Sequence, residues 1–370
     1  MTDKAKPTNY WDYIRVEELL DLQGGLEAEE SQLSNDEVVF ITVHQVFELW
    51  FKLIIRELKA ARNLFKEERV SEQELSGVVS GIRRIITILQ RCADHFAVIE
   101  TLTTRDYLAF RDKLMPASGF QSAQMRQIEI LMGLDDEDRI PLGLEENYRE
   151  ALRSHDGTES SASRRVQEQE SDRPTLADAC AEWLYRTPIL GQGPNEAEGK
   201  EQLERFLELY IQAHHLEVDH TCELALERTR EEPDRVRLLE RYAAEKKAIE
   251  EFLHPTEAQG GARRQRIRAA MLFIVSYREL PLLAWPREVL GSLIALEQAF
   301  LIFRQRHARM VERIIGRRTG TGGSAGVEYL DQTALTYRVF RDLWAVRTYQ
   351  VRAEAIPPIP NPDYYDFRNG

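Results

Sequence analysis

The sequence predicts an all-α fold, and three observations predict it. Apolar residues recur at three- and four-residue steps through nearly every segment. Strand-like alternation is nowhere sustained. Glycine and proline, 20 and 14 among 370 residues, punctuate the chain without dominating it. A chain of this length with 43% hydrophobic residues can bury a substantial core. The expectation is one large helical-bundle domain over residues 1–370.

The first long helix is expected from Asn35 or Asp36, either able to cap it, to about Glu67, with Phe40, Val43, Phe47, Trp50, Phe51 and Ile54 as its apolar set. Ser71 opens a second. Glu74 stands at capping-box spacing, and Val78, Ile82, Ile85, Ile86 and Leu89 form one face. Further helical patterns cover roughly 104–115, 120–134, 143–154, 175–187, 197–229, 233–253, 262–278, 286–316 and 329–355. Residues 154–174 break the pattern. They are polar and nearly free of large apolar side chains, which predicts a mobile surface excursion. The proline-rich tail, residues 356–370, cannot be helical and is expected to lie extended over a surface.

A formal charge of −13 disfavours a nucleic-acid or anionic-membrane partner, which would be repelled. No uninterrupted apolar run approaches the ~18 residues that span a bilayer, Ala269–Val275 being among the longest. The N-terminus lacks the apolar core of a signal peptide, and Cys92, Cys180 and Cys222 lie far apart in helical contexts. A cytoplasmic, reduced protein is expected.

The segment His307 to Tyr329 carries the strongest chemical signal. His307 sits on a helix among Phe300, Phe303, Met310, Val311 and Ile314, and that helix runs into the glycine-rich loop 320–326. A buried imidazole beside a loop that can close tightly suits a haem iron with an organic substrate above it. A lone histidine on an apolar face is more often a satisfied core residue. The loop's Gly320-x-Gly322-x-x-Ala325 follows a helix, so it is not a dinucleotide fingerprint, and no Gly-Lys-Ser/Thr follows for a phosphate loop.

In the first long helix Phe40, His44, Phe47 and Phe51 share a face, an aromatic wall with one hydrogen-bonding group. Tyr107 and Arg111 stand one turn apart, and an arginine beside aromatics presents a rigid fork suited to a carboxylate. The cluster His214, His215, Glu217, Asp219 and His220 completes no known ligand pattern and reads as a solvated charged face.

Together these segments resemble tryptophan 2,3-dioxygenase, a family of haem-dependent aromatic oxygenases. The likeness runs through Tyr10-Trp11-Asp12-Tyr13, FxxxHQxxELWFK from Phe40 to Lys52, Tyr107-xxx-Arg111, PASGFQSxQ from Pro116 to Gln124, RHxxMVxRxIG from Arg306 to Gly316 and GTGGSxG from Gly320 to Gly326. It extends weakly to Arg338–Trp344. The resemblance implies a helical bundle enclosing haem b, with His307 as the axial iron ligand and Ser118, Gly119 and Gly322 against the cofactor. It implies His44 facing the indole nitrogen, and Phe40, Tyr107 and Leu114 shaping the pocket. Arg111 and Thr321 would take the amino-acid end. The implied assembly is a homotetramer, a dimer of dimers, in which Tyr10 and Tyr13 reach a neighbour's site. The implied reaction inserts O2, with ferrous iron, across C2–C3 of L-tryptophan to give N-formylkynurenine.

Met125 departs from the family, which usually has an aromatic residue before Arg126. Two other readings share the scaffold: a monooxygenase of a substituted indole or tryptophan derivative, and a non-enzymatic haem-binding or sensor protein. Arg111 and Thr321 disfavour the second, because they serve a substrate and not the haem.

Overall fold

Residues 9–27, 29–115, 119–140, 148–153, 158–318 and 326–366 are described by the structure, a computed structural model. Among them there is no strand, only an isolated bridge between Ile189 and Gln192. Two short helices, α1 (Tyr10–Tyr13) and α2 (Val16–Leu20), precede the long pair α3 (Asn35–Phe65) and α4 (Glu72–Ile99). Next come α5 (Thr104–Phe110), α6 (Ala123–Met132), the short α7 (Tyr148–Ala151), α8 (Ser161–Ser171) and α9 (Leu176–Arg186). The second half holds the hairpin α10 (Gly199–Arg228) and α11 (Glu232–Leu253), then α12 (Gly261–Ser276), α13 (Ala284–Ile315), α14 (Val327–Thr336) and α15 (Arg341–Thr348).

Local chemistry sets most boundaries. Ser71 and Glu74 form the expected capping box: the Glu74 amide donates to the Ser71 hydroxyl at 3.3 Å, and the Ser71 amide donates to the Glu74 carboxylate at 3.0 Å. The first long helix is capped one residue earlier than expected. Ser34 accepts from the Glu37 amide at 3.2 Å, leaving Asn35 in the first turn. Gly133 ends α6 at φ +112°, and a Cβ there would stand 2.8 Å from the Ala177 Cβ. Only glycine provides both that backbone conformation and the close approach of α9.

Helix α13 packs along α4 and α14, while α3 packs on α4, α6 and α9. The main core runs between these helices and continues to α12 and α15. A smaller cluster gathers Ala123, Ile130, Tyr148, Leu152, Val166, Ala308, Tyr329 and Leu330 around α6, α8 and α14.

Several expectations need correction. The segment read as a polar excursion contains α8. Ser160 caps it, accepting from the Ser163 amide at 3.0 Å, and Val166 and Gln169 bury one narrow face against α6. Its polar composition reflects a wide solvated side, not the absence of a helix. The pattern at 143–154 yields a helix only at Tyr148–Ala151 among the described residues. The pattern at 329–355 is two helices. The buried Glu297 carboxylate accepts from the Val339 amide at 2.6 Å and the Phe340 amide at 3.1 Å, drawing the chain out of helical geometry between them. The tail does more than cover a surface: Tyr365 is buried 5.3 Å from Phe273, ring to ring, and its hydroxyl donates to the Pro188 carbonyl. Finally, α3 is long and apolar enough to cross a membrane by length and composition, which counting uninterrupted apolar residues overlooked. In this fold it forms one wall of a cavity of about 500 Å3.

Candidate functional site

A cavity of about 500 Å3 opens between α3, α4, α6, α13 and α14. From α3 come Phe40, His44, Phe47 and Phe51, all four of the predicted aromatic wall. His307 enters from α13, and Tyr107, Leu114 and Gly119 enter from the segment after α4. A Cβ built on Gly119 would meet nothing within 4 Å, so the backbone there faces open space.

The two histidines have opposite hydrogen-bonding states. His44 Nδ1 lies 2.7 Å from the carbonyl oxygen of Phe40. A carbonyl only accepts, so Nδ1 carries the proton and Nε2 keeps a lone pair for a donor in the cavity. Burial lowers the His44 pKa against the opposing pull of the Phe40 carbonyl and Glu48, which keeps the ring neutral. Neither ring nitrogen of His307 has a hydrogen-bond partner among the described residues. Its pKa falls to about 4, first through burial and then through His44 and Arg304. It is therefore not the satisfied core histidine that its type usually is.

Arg111 is not on the cavity wall itself. It lies in the turn after α5 and bonds the Tyr107 hydroxyl, and Tyr107 is on the wall. Burial raises the Tyr107 pKa despite Arg111, so the phenol stays neutral. Tyr10 and Tyr13 are far from being pocket residues of their own chain: they are 74% and 77% exposed. Ser118, Thr321 and Gly322 lie outside the described residues.

Sequence reasoning missed a buried ionic cluster on this wall. Glu129 accepts from Arg126, Arg139 and Arg304, each at 2.7 Å. Burial alone would raise the Glu129 carboxyl, but the guanidiniums of Arg126, Arg304 and Arg139 overcome it and hold the pKa at about 2. Arg126 and Arg304 both line the cavity and share this one carboxylate, so the wall carries net positive charge. The Nε of each is buried without a partner. Part of the signal was available. Arg126 and Glu129 stand three apart inside an apolar helix, and Arg304 stands one turn before His307.

The cluster around His214 is a solvated face only in part: Asp219 and His220 are exposed, as expected. His214 is buried, not solvated, and its pKa falls to about 4 through burial and the neighbouring His215. Asp219 pairs with Lys246 at 2.7 Å. No group of three metal-ligating side chains occurs among the described residues.

Among the described residues a metal held at His307 would have one protein nitrogen, a donor set suited to iron carried by a macrocycle. The residues present fit haem. They offer a large apolar cavity, a neutral imidazole with no competing bond, and cavity-lining arginines suited to carboxylate side chains on a ring edge.

Comparison with known proteins agrees with this geometry. The sequence profile of the family described as tryptophan 2,3-dioxygenase matches residues 2–350. The chain is 54% identical over 369 residues to a tryptophan 2,3-dioxygenase of Sorangium cellulosum, covering 98% of this chain and 88% of that protein. It is 50% identical to tryptophan 2,3-dioxygenase 2 of Ralstonia nicotianae, covering 98% of each. A tryptophan 2,3-dioxygenase-like protein of Xanthomonas campestris is 48% identical over 273 residues, 72% of this chain and 98% of that protein.

Proposed function

Since the chain belongs to the tryptophan 2,3-dioxygenase family, we propose that it inserts O2 across the indole C2–C3 bond of L-tryptophan, giving N-formylkynurenine. One observation carries the reading at residue level. A hydrogen-bond-accepting imidazole, His44, and an unpartnered one, His307, line the same apolar cavity.

Haem b, when bound, supplies the activation of dioxygen at a ferrous iron. His307 would hold its iron, while Arg126 and Arg304, which line the cavity, would face its carboxylates. His44 Nε2 accepts the indole N–H, which fixes the ring without a proton leaving it. Phe40 and Tyr107, with ring centroids 6.0 Å apart, bound the indole and exclude water. Arg111, tied to the Tyr107 hydroxyl, stands one step behind this wall, where it can meet the substrate carboxylate. Thr321 completes that end in the same reading.

A homotetramer belongs to the proposal. The N-terminal segment exposes Tyr10, Trp11, Tyr13, Leu20, Leu22 and Leu26, an apolar set suited to a neighbouring copy. A cytoplasmic location does too, supported by three buried free thiols. The names of the relatives favour the dioxygenase over a monooxygenase or a haem sensor.

The test is haem titration. The protein should take up one haem per chain with an imidazole-ligated ferrous spectrum, and His307→Ala should lose that ligation. A His307→Ala protein with an unchanged iron–imidazole spectrum would refute the ligand assignment.

A further inference from the structure

Iron-ligating histidines are usually oriented by a hydrogen bond from the second ring nitrogen to a carboxylate, a carbonyl or water. Among the described residues, neither a carboxylate nor a carbonyl takes that place for His307. What it has instead is a ring. Phe96, on α4, lies with its centroid 5.3 Å from that of His307, and the two planes differ by 2°. Resting on the haem reading above, we propose that Phe96 is the positioning residue of His307: a parallel aromatic contact, not a hydrogen bond, fixes the plane of the ligand imidazole.

Three features make Phe96 able to do this. It is 2% exposed, so it cannot swing away. It is held from both sides, by Phe47 of α3 at 5.0 Å and by Phe303 of α13 at 5.4 Å between centroids. Phe303 itself lies one turn before His307 and 6.3 Å from its ring, so the same stack braces the ligand along its own helix. The ring torsion of histidine is broad and soft, and without a hydrogen bond only packing can narrow it.

The nearby acid does not supply the missing bond. Glu100 follows Phe96 by one turn, but both of its oxygens accept from the guanidinium of Arg306. Without a carboxylate on its second nitrogen the imidazole gains no imidazolate character, and is a weaker electron donor to iron than a carboxylate-paired histidine.

The experiment compares wild type, Phe96→Leu and Phe96→Trp, each loaded with haem, reduced without oxygen and examined by resonance Raman in the iron–imidazole stretching region. Helicity and haem content are recorded alongside. Wild type should give one narrow band at the low frequency of a neutral, unbonded imidazole. Phe96→Leu should broaden or split that band at unchanged haem content, and Phe96→Trp should restore a single band. A Leu band identical to wild type overturns the positioning role. So does a wild-type band at the higher frequency of a hydrogen-bonded, imidazolate-like ring, and that result stands even if the Leu variant loses its fold. Failure of the wild type to bind haem at all would remove the functional reading as well, which separates the two claims.

Discussion

The Nδ1 of His44 and the carbonyl oxygen of Phe40 lie 2.7 Å apart within one turn of α3. That bond fixes both the tautomer and the tilt of the imidazole, and it places the histidine ring 4.1 Å from the Phe40 ring. An amide carbonyl that would otherwise only close the helix thus also aims the polar group of the site.

The neutral ring is the functional one, because a protonated Nε2 could no longer accept from an indole. Burial lowers the His44 pKa from the ordinary 6.5, so the accepting form persists below that pH and is lost only as the pH falls further. The acid limb of kcat/KM should therefore lie below pH 6.5. His44→Ala should lower kcat/KM about 10- to 100-fold, the value of one strong hydrogen bond, and leave measurable turnover. An inactive variant that binds tryptophan and oxygen normally would assign His44 as an obligatory base.

Arg111 is predicted to act on binding. Arg111→Leu strands the substrate carboxylate in an apolar pocket, at a cost of about 2–5 kcal/mol. KM should rise sharply while the Soret band of the loaded protein stays in place. Steady-state kinetics with L-tryptophan decide this, and an unaltered KM removes the role.

Glu129 is predicted to control acid stability. Its carboxyl falls from 4.5 to about 2 in the folded protein. A depressed carboxyl contributes stability that is complete above about pH 4.5 and fades as the pH drops towards 2. Glu129→Gln leaves buried guanidiniums without their shared anion, which should cost about 3–5 kcal/mol at neutral pH. Denaturant melts at several pH values test it: the variant should lose more at pH 7 than at pH 3, and equal losses would count against the assignment.

How much of this was legible in the sequence depended on distance along the chain. The wall Phe40, His44, Phe47 and Phe51 is set by helical period on one helix, and it was readable. His307 stood out for the same reason. The Glu129–Arg304 pair joins residues 175 positions apart, and the Phe96–His307 contact joins two helices, so neither leaves a periodic trace. Helix α8 was hidden because only Ser163, Val166 and Gln169 of its residues are buried, too few to register as an apolar stripe. The break between α14 and α15 was invisible because its cause, Glu297, lies on another helix.

The most direct test of the central claim is isotopic. The haem-loaded, reduced protein is given L-tryptophan and oxygen gas enriched in the heavy isotope, and the product is weighed by mass spectrometry. Two labelled oxygen atoms in N-formylkynurenine are the predicted result. A single labelled atom, or no conversion of L-tryptophan by fully loaded ferrous protein, would contradict the account.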